Sequence, residues 1–233
     1  QVLRHIPHIS SWSELYSKAQ LYLLTTDCTL EWPTLATPNT VYLPGITYQP
    51  AKPLEGKVAT IANSNLNGFI VFTFGSNSAY LPDHVVSNFI EAFSKLPQTV
   101  IWRITKPLDG IKLPPNVVTL PWIPQNDILG HKNCKAFITH CGNNGQYEAV
   151  YHGVPMIGFP LFLDQFHNAH RMTTKGLGIQ MNIKSFTADE LFDKMDRPEE
   201  AEKLIREAIV ICNQTGDDRC LGDAYVKYGF FFR

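Results

Sequence analysis

The sequence predicts an α/β domain, a parallel sheet covered on both faces by helices. From Gly68 onward, strand-like runs alternate with helix-like runs across short links, the pattern of successive strand–helix–strand units. A strand-like run such as Ala136-Phe137-Ile138-Thr139 is short, apolar and β-branched, the pattern of a buried parallel strand. In order, the expected strands cover residues 69–74, 100–103, 117–120, 136–139 and 155–159, with a weaker one at 178–183. The expected helices cover 82–95, 124–130, 146–152 and 165–175, and further helices follow at 187–195, 199–212 and 224–232. Helix 146–152 comes after a polar, glycine-containing turn at 140–145 and is ended by Gly153 and Pro155. The first 50 or so residues differ: a helix over 13–22 and a short strand over 23–26 lead into a connection holding Pro33, Pro38, Pro44, Pro50 and Pro53. That connection reads as a linker leaving another domain, so the expected division is 1–52 and 53–233. No internal repeat or low-complexity tract interrupts the pattern.

Composition narrows the function classes. The 233 residues are 44% hydrophobic with a formal net charge of −1, the balance of a soluble globular domain. A nucleic-acid partner usually needs a basic stripe, and this balance argues against one. The chain opens on Gln1, which predicts a processed chain or a fragment; no signal peptide is expected. No apolar run approaches the ~18 residues of a membrane span. Cys28, Cys134, Cys141, Cys212 and Cys220 form no tight framework and read mostly as buried thiols, although Cys212 and Cys220 could pair in an oxidising lumen. Asn213-Gln214-Thr215 is the single N-glycosylation triplet.

Residues 122–170 carry the chemistry. The turn at 140–145 sits between an expected strand and an expected helix, where unpaired N–H groups and the positive helix end face an anion. Gly142 and Gly145 let backbone approach such an anion, and His140 and Asn144 can donate to phosphate oxygens. Glu148, about one turn into the helix, is placed to accept from ribose hydroxyls. Trp122 follows the strand at 117–120, where its ring could stack on a base for roughly 1–3 kcal/mol. Asp164 and Gln165 follow the strand at 155–159, and such a pair suits vicinal sugar hydroxyls. Each residue also has a plain reading: Trp122 as core, 140–145 as a turn, Glu148 as a solvated helix residue, Asp164 as an N-cap. His140 beside Cys141 hints at metal, but no second Cys/His pair stands at zinc spacing, so no metal is expected. The order of the set at successive strand ends favours the ligand reading.

These residues resemble the UDP-glycosyltransferase family, the animal UDP-glucuronosyltransferases and their plant glucosyltransferase relatives. The likeness rests on Trp122-x-Pro124-Gln125, on His140-x-Gly142-x-Asn144-Gly145-x-x-Glu148, on Gly153-Val154-Pro155 and on Asp164-Gln165-x-x-Asn168. Residues 122–131 are especially similar to the animal branch, and the likeness extends to Phe72-Thr73-Phe74-Gly75-Ser76 and Val100-Ile101-Trp102-Arg103. It implies the C-terminal, donor-binding half of a GT-B glycosyltransferase: a Rossmann-like, doubly wound parallel sheet over 53–233, preceded in 1–52 by a remnant of the acceptor domain plus linker. By that resemblance Trp122 stacks on uracil and Gln125 contacts the nucleoside. His140, Asn144 and the backbone at Gly142 and Gly145 bind the diphosphate, and Gly75-Ser76 is a turn facing it. Glu148 binds ribose, and Asp164 with Gln165 binds the donor sugar. The plant relatives have Ser where Gly145 stands, so one hydroxyl contact is missing here.

The resemblance further implies a hexosyltransferase that uses UDP-glucuronic acid or UDP-glucose as donor, a small lipophilic acceptor, inversion at the anomeric carbon and no cofactor. The catalytic histidine and its orienting aspartate are expected in the family's N-terminal half, and no residue of this chain has a claim to either role. The family pattern continues into a C-terminal membrane span and cytosolic tail, which are missing after Arg233, and residues 185–197 are expected to be shorter than that pattern. The implied location is the lumenal side of the endoplasmic reticulum membrane, and homo- or hetero-oligomers are compatible with it. A rival reading is a truncated, non-catalytic UDP-sugar-binding partner that regulates full-length enzymes. A second, an NAD-dependent oxidoreductase, lacks its G-x-G-x-x-G fingerprint, because Phe74-Gly75-Ser76-Asn77-Ser78 follows the first strand of the alternation.

Overall fold

Residue contacts in the computed structural model divide the chain between Ile46 and Thr47. The structure describes residues 11–26, 30–43, 46–75, 81–105, 108 and 110–195. The helices expected at 199–212 and 224–232, Cys28, Cys212, Cys220, Asn213 and Ser76 lie outside the described residues.

In the first unit, helix α1 (Trp12–Ser17) starts at Ser11, whose Oγ accepts from the Glu14 N–H at 3.1 Å. It is shorter than the expected 13–22, because Tyr22 is drawn into strand β1 (Tyr22–Leu24), which pairs in parallel with β2 (Thr40–Tyr42). Strand β2 was not expected; its three residues sit in the proline-bearing stretch, and only pairing with β1 defines it.

The second unit begins with α2 (Gly56–Ser64), which the sequence pattern did not predict. Of its residues only Ala62 is fully buried, so the apolar stripe that marks a helix is faint. The alternating pattern then unfolds as expected: β3 (Phe69–Thr73), α3 (Asp83–Ser94), β4 (Thr99–Arg103), β5 (Val117–Leu120), α4 (Gln125–Leu129), β6 (Cys134–Thr139), α5 (Asn143–Tyr151), β7 (Met156–Gly158), α6 (Gln165–Thr174), β8 (Gly178–Gln180) and α7 (Ala188–Met195). Several boundaries shift: β6 starts two residues early at Cys134, and β7 is trimmed to Met156–Gly158. The last strand ends at Gln180, and α5 starts three residues before the expected Gln146.

All neighbouring strands of the large sheet run parallel, in the order β5-β4-β3-β6-β7-β8. Every residue of β3 and β4 is buried, so both sheet faces are covered. One face is packed by Phe72, Trp102, Phe89, Phe93, Phe159 and Phe186, with α3 and α7 supplying Val85, Val86, Ala188 and Leu191. Opposite faces of a strand alternate by residue, and on the other side Phe137 packs close to Gly145 of α5. The chain order reverses between β3 and β6, which leaves a crevice beyond their C-terminal ends, the place where open α/β sheets hold ligands. No described helix is long and apolar enough to cross a membrane.

Candidate functional site at the sheet reversal

At this reversal β3 and β6 are paired through Thr73 and Thr139, so Gly75 and His140 leave adjacent strands side by side. The imidazole edge of His140 is wedged between two glycines. A Cβ added at Gly75 would lie 2.7 Å from Cε1, and one added at Gly142 would lie 2.6 Å from Nε2. The two glycines therefore make room for the ring. Gly142 was expected to admit an anion, and its lack of a side chain also admits the His140 ring. Gly75 has φ +78°, a backbone conformation that a side chain would strain. His140 Nδ1 is buried with no hydrogen-bond partner. Burial holds the imidazole below its usual range and so favours the neutral form, while the nearby Asp164 carboxylate pulls in the opposite direction.

Between His140 and α5 the chain turns sharply through Cys141, which has φ +65°. That strained residue is fixed from two sides: its N–H donates to Thr139 Oγ1 at 3.2 Å, and its carbonyl accepts from Asn168 Nδ2 at 3.1 Å. Burial pushes the Cys141 thiol up to about 12, so it stays protonated and is no nucleophile. Among the described residues no group of three or more His, Cys, Asp or Glu side chains could hold a metal ion.

Gly142 is the N-cap of α5, and Asn143, Asn144 and Gly145 form its first turn. They were expected as part of the preceding turn. No acidic side chain stands in this first turn to take up the helix-end N–H groups. Asn144 is exposed there. Gly145 is buried, and a Cβ on it would come 3.2 Å from Gln125 Nε2 and 3.3 Å from Phe137, so its smallness admits Gln125 and the sheet. Behind the turn lies Arg171 of α6, fully buried, donating to Asn143 Oδ1 at 2.7 Å and Gln146 Oε1 at 2.8 Å.

Gln125, at the start of α4, donates from Nε2 to Glu148 Oε2. Burial raises the Glu148 carboxyl above its usual range; the bond from Gln125 lowers it, and the charge of Asp127 raises it further. Trp122 is 70% exposed, which sets aside the core reading. The Arg103 guanidinium lies over its ring, 5.5 Å from the centroid. At the far side Asp164 is exposed and precedes α6, yet it makes no side-chain cap bond to the helix; its Oδ2 accepts from Asn168 Nδ2 at 2.8 Å. Gln165 is buried, and its Oε1 accepts from the N–H groups of Leu161 at 2.8 Å and Phe162 at 3.1 Å. Its amide oxygen is thus committed to the loop after β7.

The structure therefore links Trp122, Gly75, His140, Gly142 and Asp164 through neighbouring contacts, and Gln125 with Gly145 and Glu148 through another set. Sequence reasoning missed the buried Arg103 and Arg171 as parts of this region. A charge at the end of an otherwise apolar strand is the signal that could have found Arg103; Arg171, on a buried helix face shared with Gln165 and Asn168, has no such signal.

The model of the family described as UDP-glucoronosyl and UDP-glucosyl transferase matches residues 6–207. The chain belongs to this family. UDP-glucuronosyltransferase 1A7 of Mus musculus is 41% identical over 180 residues, covering 77% of this chain and 34% of that protein. This UDP-glycosyltransferase chain thus spans about a third of the length of the curated relatives it matches. Its fold is that of GT-B glycosyltransferases. Spinosyn forosaminyltransferase SpnP superposes with a TM-score of 0.69 at 18% identity, over 91% of this chain and 55% of that one. Os79 from O. sativa, solved in complex with UDP, gives 0.59 at 16% identity over 77% of this chain and 44% of that one.

Proposed function

We propose that this chain is the donor-binding domain of a UDP-glycosyltransferase. It would hold UDP-glucuronic acid or UDP-glucose while the whole enzyme transfers the sugar to a small lipophilic acceptor, with inversion at the anomeric carbon. The observation that carries this reading is the wedged His140, with a buried nitrogen lacking a protein partner, beside a helix N-terminus that has no acid in its first turn. A buried polar atom without a partner costs about 1–3 kcal/mol, and a phosphate oxygen that reached this nitrogen would remove that cost.

The remaining residues fall around that anion position. Uracil stacks on the exposed face of Trp122. Glu148 accepts from the ribose hydroxyls, and Gln125, already bonded to it, orients the carboxylate and contacts the nucleoside. Asn144 and the backbone of the first α5 turn meet the phosphates, with Gly75 across the crevice. Asp164 reads sugar hydroxyls, and Gln165 sets the loop that presents it. As UDP departs, His140 and the helix end stabilise the charge that builds on its diphosphate.

Calorimetry with UDP, UDP-glucose, UDP-glucuronic acid, uridine and NAD tests the reading. UDP is expected to bind much more tightly than uridine, with NAD inert. A UDP-to-uridine ratio near one in the unmodified chain rules out the anion site, and tight NAD binding replaces the reading with an oxidoreductase.

A further inference from the structure

Trp122 presents a problem of order. It is 70% exposed, in a short stretch between the end of β5 and α4, and an indole so placed has little apolar packing to fix its plane. Over its ring lies Arg103, the last residue of β4, itself only 8% exposed. The guanidinium carbon lies 5.5 Å from the Trp122 ring centroid. Its Nε donates to the carbonyl of Pro121, the residue before Trp122, at 3.3 Å. Its Nη1 donates to the carbonyl of Gly75, the glycine that packs against His140. One planar cation therefore meets the ring, the backbone that carries the ring, and the turn beside the histidine.

We propose that Arg103 is a positioning residue for the nucleobase: it covers one face of Trp122, fixes the indole plane and leaves the opposite face for the base. Only a planar fork can do this, because the same group must lie over a ring and donate in its own plane to two carbonyls. A lysine ammonium has no plane to lay over the ring and cannot hold the same fork. The bond to Gly75 adds a second consequence. The base plate and the turn against His140 are anchored by one group, so the distance between base and diphosphate positions is fixed on the protein before any ligand arrives. The inference rests on the donor-site reading of Trp122, and the experiment separates the two.

Calorimetry of the whole chain would use UDP and uridine as probes with Trp122→Ala, Arg103→Met, Arg103→Lys and the double variants that combine each arginine change with Trp122→Ala. Loss of stacking in Trp122→Ala is expected to weaken both probes about 5- to 150-fold. Arg103→Met and Arg103→Lys should each weaken both probes several-fold while Trp122 is present, with lysine no better than partial rescue. In the Trp122→Ala background the same arginine changes should weaken uridine no further. Equal losses in both backgrounds would overturn the inference, since Arg103 would then act on the ligand or the fold without the ring. Full retention of affinity in Arg103→Lys would overturn it as well. If Trp122→Ala leaves UDP affinity intact, the donor-site reading fails and the inference falls with it. Should Arg103→Met not fold, as judged by circular dichroism, the lysine pair alone decides the outcome.

Discussion

His140 and Glu148 are pushed by burial in opposite directions, the imidazole down and the carboxyl up, so both favour their neutral forms. If the diphosphate meets His140, its negative charge must raise the imidazole, and near neutral pH the protein takes up a proton as UDP binds. UDP affinity then falls as pH rises through the imidazole of the complex. Glu148 acts in the other sense: ribose hydroxyls need an ionised acceptor, so affinity falls as pH drops through its raised carboxyl. Uridine should show the acid limb alone. Calorimetry in buffers of different ionisation enthalpy checks this: UDP binding should take up protons, uridine binding should not, and His140→Ala should abolish the uptake. Uptake unchanged in His140→Ala would remove the histidine from the diphosphate. At this scale the sequence was only half legible. His140 and Glu148 stood out by type and spacing, but the side chains that Gly142 and Gly145 leave room for did not. Gly142 makes room for the imidazole two residues before it, and Gly145 for Gln125 of another helix, a neighbour that no local pattern announces. Arg103 was hidden in the same way, its carbonyl partners lying at Gly75 and Pro121.

At the scale of elements, continuously apolar strands revealed themselves because burial on both faces leaves no alternation to misread. The start of α5 did not, because Asn143-Asn144-Gly145 has turn chemistry and yet suits the first turn of a helix. The entry to α6 is the most informative junction. Leu163 has φ +53° and is exposed, and the loop holding it is tied by Gln165 Oε1 to two N–H groups. Asp164 makes no side-chain cap to the helix backbone, but its Oδ2 accepts from Asn168 Nδ2 of α6 at 2.8 Å, so removing it should cost some stability through that bond. Asp164→Ala is expected to weaken UDP-sugar by about 1.5–3 kcal/mol relative to UDP, beyond a modest fall in melting temperature from the lost bond to Asn168 that affects both ligands alike. Gln165→Leu, which removes both loop bonds, should lower stability by about 1–3 kcal/mol in urea melts. Gln165→Glu keeps the acceptor and should keep the UDP-sugar to UDP ratio. A ratio that collapses in Gln165→Glu would mean that its amide N–H binds the sugar directly.

Across the whole molecule, the site depends on strand order, which adjacency in sequence does not reveal. The alternation predicted a parallel sheet, but only the reversal between β3 and β6 brings Gly75 against His140. Every described candidate residue lies in the unit that begins at Thr47. Where that unit starts has a consequence. The Gln49 N–H donates to Asn126 Oδ1 at 3.3 Å, Asn126 Nδ2 returns a bond to the Gln49 carbonyl at 3.0 Å, and the Lys52 N–H donates to Asp127 Oδ1 at 3.0 Å. Tyr48 packs on Tyr151 with ring centroids 4.6 Å apart and on Tyr147 of α5 at 6.2 Å. Residues 48–52 thus brace α4 and α5, the helices that carry Gln125 and Glu148. A chain starting at Thr47 should melt in one transition and bind UDP with the affinity of the full 233 residues. One starting at Pro53 loses three hydrogen bonds and an aromatic cluster, worth about 2–5 kcal/mol together. Its UDP affinity should fall as well, because the brace behind Gln125 and Glu148 is gone. Equal melting temperature and equal UDP affinity for the two truncations would show that residues 48–52 support neither helix.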